Sequence, residues 1–179
     1  MAQLLLMAFF LVKHFIYMIN KIDKACSVAF TGHRSIPLAQ IERVKGEVRK
    51  KVRLLYAMGI RNYLCGMAIG FDMLAAEEII KLKAEGYNEM RLVAVVPFRG
   101  QSSKWNEFSK AKYNDLLNNA DDVIMLSERY YNGCCLRRND YMLIHVCGLI
   151  AYYNGLPKGG TFYTVKRAQN MNLDIVNIF

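Results

Sequence analysis

Proline is nearly missing from this sequence: three occur in 179 residues, too few for a disordered or linker-rich chain. Tryptophan occurs once, and acidic residues are outnumbered by basic ones, 15 against 24, leaving a formal charge of +9. So basic a chain points to anionic partners: nucleotides, nucleic acid or a membrane surface. Five cysteines (Cys26, Cys65, Cys134, Cys135, Cys147) are an odd number without paired spacing. Adjacent Cys134 and Cys135 make neither a zinc knuckle nor a redox CxxC pair. Reduced thiols and a cytoplasmic setting are the expectation, with no metal and no cofactor. Two nucleotide signatures are also missing. No Lys-Ser/Thr pair follows a glycine loop as in Walker A, and no GxGxxG dinucleotide fingerprint occurs.

Long hydrophobic runs are short of what a bilayer needs. "LLLMAFFLV" is nine apolar residues, interrupted by Lys13 and His14 before "FIYMI". A span takes about 20 mostly apolar residues, and a lysine near its centre costs about 2.5–3.5 kcal/mol. No early positive charge marks a signal peptide. Three readings stay open for residues 1–24: a start read too early, with Met18 opening "MINKIDKAC"; a peripheral or docking helix; a membrane anchor. A membrane partner is not expected. Residues 25–179 are read as one domain.

What is present is regular alternation. "CSVAFTG", "RNYLCG", "RLVAVVPF", "DDVIMLS", "GLIAYYN" and "LDIVNI" are short apolar runs that read as buried strands. Between them lie helical patterns. Ser35 and Pro37 open the first, whose Leu38, Ile41, Val44, Val48, Val52 and Leu55 share a face until Gly59. Others run over Phe71–Glu85, from about Trp105 to Leu117 behind Ser102 or Ser103, over Leu136–Val146, and over Thr161–Met171. Six strands alternating with helices predict an α/β fold, a three-layer Rossmann-like sandwich with a mostly parallel sheet.

In such sheets ligands bind beyond the carboxyl ends of the strands. The polar and glycine-rich segments fall there: "TGHR" (Thr31, Gly32, His33, Arg34), "CGMAIGFD", "PFRGQ", "LRRND" and "NGLPKGGT". Gly66 and Gly70 are expected to let an anionic or planar ligand approach the backbone at a helix mouth. On that reading Gly70→Val removes binding and spares the fold. Asp72 is either the helix N-cap or an acceptor for a ribose hydroxyl. Gly159, Gly160 and Thr161 form a second glycine turn into a helix, a second candidate phosphate cradle. Arg34 and Arg138 read as phosphate clamps or as solvated arginines. His33 either acts as acid or base or hydrogen-bonds its own loop. Trp105 either stacks on a base or packs a helix, and His145 reads as a satisfied core residue.

Five of these motifs occur in a fixed order: "SVAFTGHR", "CGMAIGFDMLAAE", "VVPFRGQSSKW", "CLRRNDYM" and "LIAYYNGLPKGGTFYTVKRA". Together, over residues 26–179, they resemble the YpsA-like family of small Rossmann-fold proteins. That family lies in the superfamily of the DNA-processing protein Smf/DprA and the Lonely Guy phosphoribohydrolases (the SLOG superfamily). The resemblance implies a nucleotide-like ligand held by Gly32, His33, Arg34, Gly66, Gly70, Asp72, Arg138, Asn139, Gly159, Gly160 and Thr161. There are departures. Ile144 and Cys147 stand where relatives carry more polar residues, and Thr164 stands where the Lonely Guy enzymes have a glutamate.

Three functions follow. A nucleotide sensor or regulatory module fits two phosphate-type turns without a complete acid–base pair. A nucleotide N-glycosidic hydrolase would have to draw on His33, Asp72 or Glu77. A nucleic-acid binder of the DNA-processing type fits the positive charge. A homo-oligomer is compatible with each.

Overall fold

The computed structural model describes residues 22–179; most of the N-terminal hydrophobic stretch, including Met18, lies outside the described residues. Six strands form one sheet: β1 (Ser27–Gly32), β2 (Asn62–Cys65), β3 (Arg91–Val96), β4 (Asp122–Met125), β5 (Gly148–Tyr152) and β6 (Asp174–Asn177). All neighbouring pairs are parallel, in the order β4-β3-β2-β1-β5-β6. The fold is therefore α/β and Rossmann-like.

Alternation along the strands divides the core. Phe30, Tyr63, Cys65, Leu92, Ala94 and Ile150 face one layer, and Ala29, Leu64, Val93, Val95, Leu149 and Ala151 face the other. Successive side chains on a strand point to opposite faces, so a central parallel strand must be apolar on both. The first layer is covered by α1 (Ile41–Ala57), α2 (Phe71–Ala84) and α3 (Glu107–Asn118). The second is covered by α4 (Cys134–Ile144) and α5 (Gly159–Asn170).

Two helix starts differ from the sequence expectation. Pro37 leads into a short 3-10 turn, Leu38–Gln40, before α1 begins. Asn106, not Ser102 or Ser103, caps α3, its side chain accepting from Ser109 N–H at 2.8 Å. Trp105 packs edge-on against Tyr113, with ring centroids 5.2 Å apart, and so belongs to the core side of α3. His145 is only half-buried; its Nδ1 lies 2.7 Å from Tyr141 O.

From β1 the chain steps outward through β2, β3 and β4, then returns to lay β5 on the other side of β1. The loops after β1 and β5 therefore diverge to opposite layers. The crevice that this reversal opens is where an open α/β sheet can admit a ligand.

Candidate ligand site at the switch point

A cavity of about 330 Å³ occupies that crevice. Its wall is built from Thr31, Gly32, His33 and Arg34 after β1, Ala68 and Asp72 at the start of α2, Cys135, Leu136, Arg138 and Asn139 on α4, and Lys158 to Thr161 opening α5. Ten of the residues singled out from sequence meet here. Gly66 and Gly70 do not line it, and neither does Glu77.

The glycines of the first turn answer to protein rather than to ligand. Gly70 has φ +94°, and a Cβ there would lie 2.5 Å from the Arg34 carbonyl carbon. At Gly66 a Cβ would overlap the Arg138 guanidinium and come within 2.7 Å of Asp72 Oδ2. At Gly32 it would meet the Phe71 ring at 2.5 Å. Real Cβ atoms do not approach so closely, so all three positions exist to let the post-β1 loop, α2 and Arg138 pack together. The expectation that Gly70→Val spares the fold is overturned. Gly160 is the opposite case: nothing lies within 4 Å of an added Cβ, and its φ is not left-handed.

Asp72 is not the N-cap of α2. Gly70 holds that position without a side-chain bond, and Asp72 lies in the first helical turn, 6% exposed. Its Oδ2 accepts from Ala68 N–H at 3.4 Å. Burial pushes its carboxyl up to about 6, against the opposing pull of Arg138, the Ala68 N–H and Arg34.

Arg138 is 5% exposed and held from three sides. Its Nε donates to Asn139 Oδ1 at 2.7 Å, and its Nη1 donates to Gly66 O and, at 3.4 Å, to Val95 O. Asn139 Nδ2 donates to Thr164 Oγ1 at 2.8 Å, and that hydroxyl donates to Gly160 O at 2.8 Å. Thr164 is fully buried, so the position of the Lonely Guy glutamate is here a strut rather than a cavity group. Gln101, from the third polar segment, props the same turn by donating to Gly66 O and Met67 O at 3.3 and 3.1 Å.

His33 is committed to its own loop. Its Nε2 accepts from Asn154 N–H at 3.0 Å, which puts the proton of the neutral ring on Nδ1. Glu77 opens instead onto a separate groove beside α3. Although burial opposes it, hydrogen bonds and charge from Lys112 and Lys81 hold its carboxyl down at about 2. It is therefore ionised at neutral pH, and it faces a groove other than the switch-point cavity. Cys135 reaches the cavity, but burial and its neighbour Cys134 raise its thiol, so it offers no thiolate at neutral pH.

The wall thus carries three cations, Arg34, Arg138 and Lys158, against one buried carboxyl, Asp72. Gly159 and Gly160 open α5 exposed, presenting N–H groups at a helix N-terminus, which favours an anion. Sequence reasoning missed Lys158, Ala68, Cys135 and Leu136 as wall residues, although Lys158 adjoins Gly159, and Ala68 and Leu136 lie inside the quoted segments "CGMAIGFD" and "LRRND". Among the described residues no cluster of three or more His, Cys, Asp or Glu is set to hold a metal. No described helix is long and apolar enough to cross a membrane.

Fold and site define a Rossmann-like α/β protein with a cation-lined cavity at its switch point. A family model described as the YspA SLOG family matches residues 28–176, and the chain belongs to that family. A UPF0398 protein of Bacillus pumilus is 27% identical over 152 residues, covering 80% of this chain and 81% of the relative. Another, of Halalkalibacterium halodurans, is 31% identical over 141 residues, covering 75% and 74%. Among solved structures, DNA processing protein A of Helicobacter pylori, described for its single-stranded DNA binding mode, superposes with a TM-score of 0.58 at 18% identity. That match covers 83% of this chain and 63% of the other. A structural-genomics target, TM1055, gives 0.51 at 13% identity, covering 83% and 71%. At such identities these two report a shared fold.

Proposed function

We propose that the switch-point cavity binds a nucleotide or nucleotide-derived anion, and that the protein is a sensor or regulatory module. The observation that carries this reading is the convergence of Arg34, Arg138 and Lys158 on the open, glycine-led N-terminus of α5. Family membership is compatible with it. Binding without turnover is favoured by what the cavity wall lacks. Cleaving an N-glycosidic bond builds positive charge on the ribose, which calls for an ionised carboxylate close by. Thr164 is neutral and buried, Glu77 faces another groove, and the buried Asp72 carboxylate, mostly ionised at neutral pH, is already countered by the Arg138 charge.

The test is titration calorimetry of the full chain with nucleoside mono- and diphosphates, beside adenine release from adenosine monophosphate. Saturable binding that Gly160→Ala weakens at least about tenfold, without adenine release, supports the reading. Turnover near 1 s⁻¹, within the ordinary enzyme range, sinks it in favour of the hydrolase.

A second reading, binding of single-stranded nucleic acid, has its own observation. Tyr130 is exposed, Tyr131 hydrogen-bonds with Arg137 at 3.4 Å, and Arg129 lies beside them, on the loop that leads to Leu136 in the cavity wall. Aromatic faces interleaved with arginines suit stacked bases and their phosphates. An oligonucleotide that binds far more tightly than a mononucleotide, with affinity falling steeply as salt rises, would favour this reading.

A further inference from the structure

On the opposite layer from α4 and α5, a second groove of about 460 Å³ opens between the first turns of α1, α2 and α3. Its floor is aliphatic: Ile36, Ile41, Ile69, Met73 and Leu74. Phe108 lines it at 80% exposure, and Leu38, two residues after Ile36 in the chain, is left in water at 87% exposure. Neither exposure is dictated by its helix. α3 already turns Tyr113 and Leu116 to the core, and Leu38 lies between Ile36 and Ile41, which both line the groove. An exposed apolar patch beside an apolar hollow marks a contact surface.

We propose that this face pairs two copies of the chain around a twofold axis. Hollow and protrusion belong to the same surface, which is what an isologous contact requires: Phe108 of each copy enters the groove of the other. Charge agrees. The chain as a whole carries +9, but here each lysine is matched by a glutamate: Lys45 with Glu42 at 2.7 Å, Lys110 with Glu107 at 2.8 Å, and Lys112 with Glu77 at 2.5 Å. Arg34 is the one lining cation outside these pairs, so the face is close to neutral, repels its own copy little, and its paired charges can exchange partners across the axis. Arg34 lines both this groove and the switch-point cavity, so the second copy would close against one wall of the ligand site.

Sedimentation velocity of the full chain over a range of concentrations tests the pairing. The expected species has twice the 20.6 kDa chain mass. Phe108→Asp and Leu38→Asp, both at exposed positions that the fold does not use, should raise the dimer dissociation constant at least about tenfold, as loss of an interface anchor does. Leu54→Asp, exposed toward the far end of α1, should leave it unchanged. Gly160→Ala should also leave it unchanged, which separates pairing from ligand binding. A monomer at every concentration overturns the proposal, as does a dimer indifferent to Phe108→Asp or one equally disrupted by Leu54→Asp.

Discussion

At the residue scale, two glycines 90 residues apart separate fold from ligand: Gly70 and Gly160. Gly70→Ala forces a side chain into a left-handed conformation and onto the Arg34 backbone; it should cost more than about 2 kcal/mol in urea denaturation. Gly160→Ala meets nothing and adds a better helix former to the first turn of α5. Its stability should be unchanged or higher by up to about 1 kcal/mol, while nucleotide affinity falls. Asp72 makes a prediction with a sign. The folded chain holds this proton up to about 6, whereas an ordinary aspartate releases it near 3.8. Between those values the native state binds more protons than the unfolded state, so stability falls as pH rises through that window and stays at the lower level above it. Two units correspond to roughly 3 kcal/mol. Asp72→Asn keeps an acceptor for Ala68 N–H and should lack this fall; comparing urea midpoints at about pH 4 and pH 7 measures it. Parallel profiles for the two proteins would contradict the assignment.

At the scale of elements, the site is held by a strut that ties α5 to α4 and α4 to the turn before α2. Thr164 fixes Asn139, Asn139 fixes Arg138, and Arg138 fills the space that Gly66 leaves open. Thr164→Val keeps the volume but leaves Asn139 Nδ2 without its buried acceptor. The cost should be about 1–3 kcal/mol of stability, with weaker anion binding through a displaced Arg138. Chemical denaturation and calorimetry on one sample read both, and loss of stability alone would confine the strut to the fold. The same geometry changes what Thr164→Glu would report. The position is fully buried, so an introduced carboxylate would enter the core rather than the cavity, and lost folding would precede any gained activity.

For the whole molecule, salt dependence is the broadest discriminator. A small anion in one pocket neutralises few charges, so its affinity should change modestly between low and physiological salt. A strand lying along Arg129, Arg137 and the cavity would lose affinity steeply. The sheet order adds a global constraint: the reversal between β1 and β5 brings together segments from both halves of the chain. Truncation after β4 would therefore remove α4 and α5, and with them two of the three wall cations, Arg138 and Lys158, leaving Arg34.

The layers, and the sheet edge that carries the candidate site, were legible in the sequence alone. Runs such as "RLVAVV" must be buried on both faces, and helices between parallel strands must cross over them, so strand content and α/β class follow from local pattern. The position of Gly159 and Gly160 at a helix start was legible for the same reason, because glycine followed by a helical period is a local signal. Partnership was not. That Gly66 makes room for Arg138, 72 residues away, that Thr164 is a strut, and that Glu77 faces α3 instead of Asp72 are facts about which surfaces meet. A glycine that admits a ligand and one that admits a neighbouring backbone are identical in sequence. Only packing, which sums contacts between distant segments, distinguishes them.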